Sequence, residues 1–217
     1  VQAVGKIPLD MSRSSIDLLS LSGHKLHAPK GVGVLYIRRG TRCRPLIVGG
    51  HQEKGRRGGT ENVASIVGLG AAVELAVDHI EKENTYVRGL RDKLQTMIFE
   101  SIPDSILNGH PEHRLPNTLN VSFGYIEGEA ILLMLDEHGI CASSGSACTS
   151  GSLEPSHVLR AMGIPYTAAH GSVRFSLSVY NKREEIETTA NALAQIVTRL
   201  REISPFSAES DFMPSSS

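Results

Sequence analysis

Ile16-Asp17-Leu18-Leu19-Ser20-Leu21-Ser22-Gly23-His24-Lys25 runs an apolar, strand-like stretch straight into a small polar turn that ends on a lysine. A second apolar stretch, Gly33-Val34-Leu35-Tyr36-Ile37, follows after Ala28-Pro29-Lys30-Gly31-Val32. Short runs rich in Leu, Ile and Val bounded by Gly and Pro read as buried strands. From about Glu61 to Glu83, Val63, Ile66, Val67, Ala71 and Leu75 recur at helical spacing, so strand and helix alternate and the chain reads as α/β. A lysine at the end of a strand is ordinarily a solvated surface residue. Lys25, in a Ser-Gly-His turn between two apolar strands, is instead well placed to form a Schiff base with an aldehyde cofactor, given desolvation or nearby positive charge. Ser22 and His24 are then natural donors to phosphate oxygens.

The C-terminal half has a different texture. A second helix is expected from about Thr85 to Ile102, with Asn84 as its cap. Strands are expected near Ile106–Asn108, Leu119–Phe123, Ile140–Ser143 and Val173–Ser178, with helices near Glu129–His138 and Ser156–Met162. An amphipathic helix from Arg183 to Ile203 is closed by Pro205. The serine-rich end, 206–217, reads as a disordered tail.

Ser143-Ser144-Gly145-Ser146-Ala147-Cys148-Thr149-Ser150-Gly151-Ser152 sets one cysteine among small, hydroxyl-rich residues. No large apolar side chain in that run can bury the thiol, so Cys148 reads as a presented nucleophile on a solvent-reached loop. Cys141, after the strand-like Ile140, reads as a small buried residue. Although His138 is near, the spacing of Cys141 and Cys148 fits no common zinc pattern, and no metal is expected.

Composition excludes several classes. The chain has 217 residues, a net charge of −1 and three cysteines, Cys43, Cys141 and Cys148. Three cysteines make no disulfide framework, so a reducing, cytoplasmic setting is expected. No apolar run approaches the roughly 20 residues of a membrane span. Residues 38–58 hold seven Lys/Arg against one Glu, but no aromatics interleave, so no nucleic-acid partner is expected.

Beyond these, Pro29-Lys30-Gly31-Val32-Gly33, Arg57-Gly58-Gly59-Thr60, Glu127-Gly128-Glu129, Leu153-Glu154-Pro155-Ser156 and Val173-Arg174-Phe175-Ser176 join the lysine turn and the cysteine loop in one order. That order resembles the pyridoxal-phosphate cysteine desulfurases over residues 1–205. Pro165-Tyr166-Thr167-Ala168-Ala169-His170-Gly171 is similar to the nitrogen-fixation (NifS) type within the iron–sulfur assembly group. The resemblance implies a fold-type-I architecture, a homodimer, and conversion of L-cysteine to L-alanine through a persulfide, with an iron–sulfur scaffold protein as sulfur acceptor. By motif it implies that Lys25 holds pyridoxal 5'-phosphate, that Ser22 and His24 bind its phosphate and Gln2 its 3-oxygen, and that Thr60 reaches the phosphate in the opposite subunit. Arg174 would clamp the substrate carboxylate, Cys148 would be the nucleophile, and His27 is a candidate for the substrate pocket.

In that family the glycine-rich phosphate turn, the stacking histidine and the pyridine-pairing aspartate lie upstream of the position of Val1. The chain is therefore expected to be the C-terminal part of a desulfurase, with 1–82 completing the large domain and 83–205 forming the small α+β domain. Two alternatives stand beside this reading: an inactive fragment that only binds a partner, and another class V pyridoxal-phosphate aminotransferase.

Overall fold

The computed structural model describes residues 1–144 and 155–205. The cysteine loop around Cys148 and the expected tail at 206–217 lie outside the described residues. The chain is mixed α/β and divides into two compact units, Val1–Asn84 and Thr85–Ser217.

In the first unit β1 (Leu18–Ser22) pairs antiparallel with β2 (Gly33–Ile37), in the register Ser22↔Gly33 to Leu18↔Ile37. A 3-10 turn, Gly23–Leu26, follows β1 directly. After a single turn α1 (Gln52–Gly55) comes α2 (Val63–Asp78), capped by the Asn62 carboxamide oxygen, which accepts from the Ser65 N–H at 3.2 Å. One expectation fails here. The strands expected to be buried are not, since Leu18, Val34 and Leu35 are exposed, Leu35 by 52%. Among the described residues the two strands pair only with each other, and a two-stranded sheet buries little by itself. The apolar stripe of α2 likewise faces out, with Val67 67% exposed, while Leu69 on another face is buried. Small residues of α2 also make close contacts: Gly68 lies against Pro29 and Ala76 against Gly5.

The helix expected to run to Glu83 breaks at His79. It resumes as the single turn α3 (Ile80–Lys82) and a π-turn, Glu83–Val87, before α4 (Arg88–Ser101). Asn84 therefore caps nothing; its Nδ2 donates to the carbonyls of Lys6 and Ile80, both at 2.8 Å. Beside it Glu83, 1% exposed, pairs with Lys6. These two contacts tie the first residues of the chain to the end of the unit's helical segment.

The second unit is a three-stranded antiparallel sheet in the order β3 (Ser105–Leu107), β4 (Thr118–Phe123), β5 (Ser172–Ser176). Its alternation is plain in β4. Leu119, Val121 and Phe123 are fully buried on one face, and Thr118, Asn120 and Ser122 occupy the other. Three helices supply the core on the apolar face: α4, α5 (Gly128–Glu137) and α8 (Arg183–Ile203). Leu90, Leu94 and Ile98 stack at four-residue intervals on α4. Ile186, Ala190, Leu193 and Val197 follow at intervals of four, three and four on α8, so each helix presents one apolar stripe. The bounds of α8 are those the sequence predicts.

Two short helices, α6 (His157–Ala161) and α7 (Tyr166–His170), precede β5, and the second was not foreseen. Among the described residues the expected strand at Ile140–Ser143 is reduced to one bridge, Ser143↔Arg174. Among the described residues no single helix is long and apolar enough to cross a membrane.

Candidate active site

The lysine turn is built by close backbone approach. Gly23 N–H donates to the Val32 carbonyl at 2.8 Å, closing the loop between the two strands. A β-carbon on Gly23 would stand 2.9 Å from Val32 Cγ1 and 3.0 Å from Val32 O, so no larger residue fits between Ser22 and His24. Leu26 is buried, held near Gly5, while His24 and Lys25 are exposed. With three residues per 3-10 turn, Gly23 and Leu26 share the inner side, which sends His24 and Lys25 outward.

His27 ends the turn in the left-handed region, at φ 64°, and the Ala28 N–H donates to the Gly23 carbonyl at 3.1 Å. The Ser22 hydroxyl makes no capping bond. Lys25 and His24 make no side-chain hydrogen bond or ion pair among the described residues. One turn thus displays a hydroxyl, an imidazole and a primary amine, none of them committed to a capping bond or ion pair within the fold.

That donor set fits pyridoxal 5'-phosphate. The amine matches the aldehyde, and the hydroxyl and ring N–H match phosphate oxygens. Gln2 is exposed, three residues before Gly5, whose backbone approaches Leu26 of the turn. Thr60 is exposed on a separate glycine-rich loop, where its carbonyl accepts from Arg57 Nη2 at 3.3 Å and Gly58 N–H donates to Ile47 O at 2.8 Å.

In the second unit Arg174 sits in the middle of β5 on the polar face, half-buried, with Nε buried and without a hydrogen-bond partner among the described residues. Its backbone exchanges both hydrogen bonds with Ser143: Arg174 N–H to Ser143 O at 2.6 Å and Ser143 N–H to Arg174 O at 3.1 Å. Ser172 Oγ adds a bond to the Ser144 carbonyl at 3.3 Å. The segment that leads toward Cys148 is therefore rooted on the strand that carries Arg174, while Cys148 itself lies outside the described residues. Cys141 corrects an expectation. It is exposed and lines an open cleft of about 570 Å³ with His138, Phe175, Glu185 and Thr189, because the run after Ile140 is irregular and does not enter the sheet.

Sequence reasoning passed over a polar cluster on the same face as Arg174. Asn108 Nδ2 donates to Asn120 Oδ1 at 2.6 Å and to Ser122 Oγ at 2.8 Å. The available signal was Asn120 in the middle of the apolar run Leu119–Phe123, a position where strands disfavour asparagine.

Comparison with known proteins places these features in a lineage. The family model for class-V aminotransferases matches residues 1–189. The chain is 65% identical over 206 residues to cysteine desulfurase NifS of Azotobacter vinelandii, covering 95% of this chain and 51% of that protein. It is 61% identical over 219 residues to a cysteine desulfurase of Gluconacetobacter diazotrophicus, covering 99% and 55%. Among solved structures, a NifS-like protein superposes with a TM-score of 0.82 at 38% identity, over 92% of this chain and 51% of that one. The NifS-like protein of Rickettsia africae gives 0.82 at 32%, over 91% and 52%. The chain spans about half the length of the curated relatives it matches. With its lysine turn, its α/β fold and a match over nearly nine-tenths of its length, the chain belongs to the class-V aminotransferase family.

Proposed function

We propose that this chain supplies one half of a pyridoxal-phosphate cysteine desulfurase of the NifS type, converting L-cysteine to L-alanine for iron–sulfur cluster assembly. The observation that carries the reading is the uncommitted Ser22–Lys25 turn in a chain 65% identical to a named desulfurase. Ser22 and His24 would hold the phosphate, Gln2 the 3-oxygen, and Lys25 the aldehyde. When bound, the cofactor supplies an electron sink that weakens the bonds at the substrate's α-carbon. Lys25 Nζ then takes the α-proton and is the base on this turn able to return a proton to the substrate carbons.

Arg174 fits the substrate carboxylate, since a planar guanidinium offers paired N–H donors and its Nε lacks an acceptor. Cys148 would attack the substrate sulfur as thiolate. A sulfur–sulfur bond forms and the carbon–sulfur bond breaks, and a proton goes to the carbon, so cysteine plus Cys148 thiol gives alanine plus Cys148 persulfide. An acceptor thiol, on an iron–sulfur scaffold protein in this reading, collects the sulfur by exchange. Thr60 would complete the partner subunit's phosphate site in a homodimer, and His27 would border the substrate.

The test is to express the complete enzyme that carries this chain and assay it with L-cysteine and a dithiol. Alanine and sulfide should appear in equal amounts and both should vanish in Cys148→Ser. Transamination of cysteine without sulfide would instead favour an aminotransferase.

A further inference from the structure

We propose that Asn120, oriented by Asn108, is a second hydrogen-bond donor to the substrate carboxylate beside Arg174. This rests on the reading of Arg174 as the carboxylate clamp. Asn120 lies directly across from Arg174 in the β4–β5 ladder. Bonds from Leu177 N–H to Asn117 O and from Phe123 N–H to Gly171 O mark 117/177 and 123/171 as hydrogen-bonded pairs. The alternation of an antiparallel ladder then makes 120/174 a non-hydrogen-bonded pair, the kind in which facing side chains stand closest. The backbone agrees: Arg174 bonds outward to Ser143, and the Asn120 carbonyl accepts from Asn108 N–H at 3.0 Å.

Asn108, buried, gives both protons of its amide away, one to Asn120 Oδ1 and one to Ser122 Oγ. With its oxygen engaged, Asn120 has only Nδ2 left to offer, and it makes no bond within the described fold. Asn120 and Arg174 thus face each other across the ladder, and among the described residues neither the Asn120 N–H₂ nor the Arg174 Nε has an acceptor. Two donor groups side by side on a polar sheet face suit an anion with two acceptor oxygens, and the substrate carboxylate is that anion in the proposed reaction. The reverse amide arrangement would satisfy the buried Asn108 Oδ1, which has no partner, but it would turn the Asn120 oxygen toward the carboxylate. The two arrangements make opposite predictions.

The experiment uses the complete enzyme, with Asn120→Ala, Asn120→Val, Asn120→Asp and Arg174→Ala. Losing one hydrogen bond to a charged group should raise the KM for L-cysteine about tenfold or more in Asn120→Ala, with kcat within about threefold of the parent. Asn120→Asp keeps the shape but replaces the donor with a negative charge, so its KM should rise further than that of Asn120→Ala. Inhibition by L-alanine should weaken in step, whereas L-alaninamide, which lacks the carboxylate, should inhibit all Asn120 variants equally. The visible spectrum of bound cofactor should not change. If Asn120→Ala folds poorly, Asn120→Val, which suits a strand and carries no donor, makes the same comparison. An unchanged KM in Asn120→Ala or Asn120→Val, an Asn120→Asp no worse than Asn120→Ala, or parallel losses for alanine and alaninamide would each overturn the proposal. A normal KM in Arg174→Ala would instead remove the reading on which it rests.

Discussion

Gly171 is where the sheet of the second unit tolerates no side chain, and Gly171→Ala tests how tightly that unit is built. A β-carbon there would lie 2.2 Å from the Phe123 carbonyl oxygen and 2.9 Å from that of Ile126. The first distance is more than 1 Å short of ordinary contact, and both obstacles are backbone, so no rotamer change relieves the clash. The backbone at Gly171, φ −80° and ψ 11°, is open to alanine, so the cost is steric alone. Relief requires β4 and β5 to part at this end, which breaks the 2.9 Å bond from Phe123 N–H to Gly171 O. Phe123 is fully buried, so its freed N–H finds no water. Stranding a buried donor costs about 1–3 kcal/mol. The residual overpacking costs about 1–3 kcal/mol more. With a urea m-value of about 2 kcal/mol per molar, the unfolding midpoint should fall by about 1–3 M.

Gly89→Ala is the matched control. It lies exposed in α4 with nothing within 4 Å of the new methyl, and should gain roughly 0.5–1 kcal/mol from helix propensity. Urea titration of the purified chain by circular dichroism reads both. A Gly171→Ala midpoint indistinguishable from that of the parent would refute the argument.

Three further outcomes are expected. Leu193→Ala removes a fully buried side chain from α8 and should cost about 2–5 kcal/mol in the same titration, while a loss below about 1 kcal/mol would mean that the core collapses around it. Glu185 accepts bonds from Asn181 Nδ2 at 2.9 Å and Lys182 N–H at 3.0 Å at the start of α8; the Asn181 bond, then the Lys182 bond, holds its carboxyl below the usual carboxylate range. Its contribution is therefore fully present above the unfolded-state value near 4.5 and lost as pH falls through the lowered folded value. Glu185→Gln should cost about 0.3–1 kcal/mol at pH 7, shrinking to nothing in acid; a deficit constant with pH would contradict the assignment. In the complete enzyme, Lys25→Ala should leave no cofactor covalently attached after borohydride reduction, and a reduced adduct found by mass spectrometry would move the anchor elsewhere.

Where sequence patterns report local periodicity, they were enough. The bounds of α8 followed from its amphipathic pattern and Pro205, and β4 lies where a strand was expected at Leu119–Phe123. Where burial depends on what lies across from a residue, they were not. Leu35 read as buried because an apolar run says which residues are water-averse, not whether anything covers them. His79 and the π-turn after it were missed because the residues on either side are good helix formers, and the break is tied down by the distant Lys6. The lysine turn was legible because its chemistry is contiguous in sequence. Asn120 was not, because its pairing with Arg174 spans more than fifty residues of chain and exists only as sheet register.

The uneven burial of the two units has a thermodynamic consequence. Among the described residues, Val1–Asn84 buries only Leu26, Ala28 and Leu69 of its apolar side chains, whereas the second unit holds a continuous cluster from Val87 to Val197. Cooperativity follows the buried network, so the chain should melt as two events and not one. Amides of Leu18–Ile37 should exchange with solvent at low opening free energy while those of Leu193–Val197 approach the global limit. A single reported melting temperature would then describe the second unit alone, and the lysine turn would sit in the part that a calorimeter is least able to see.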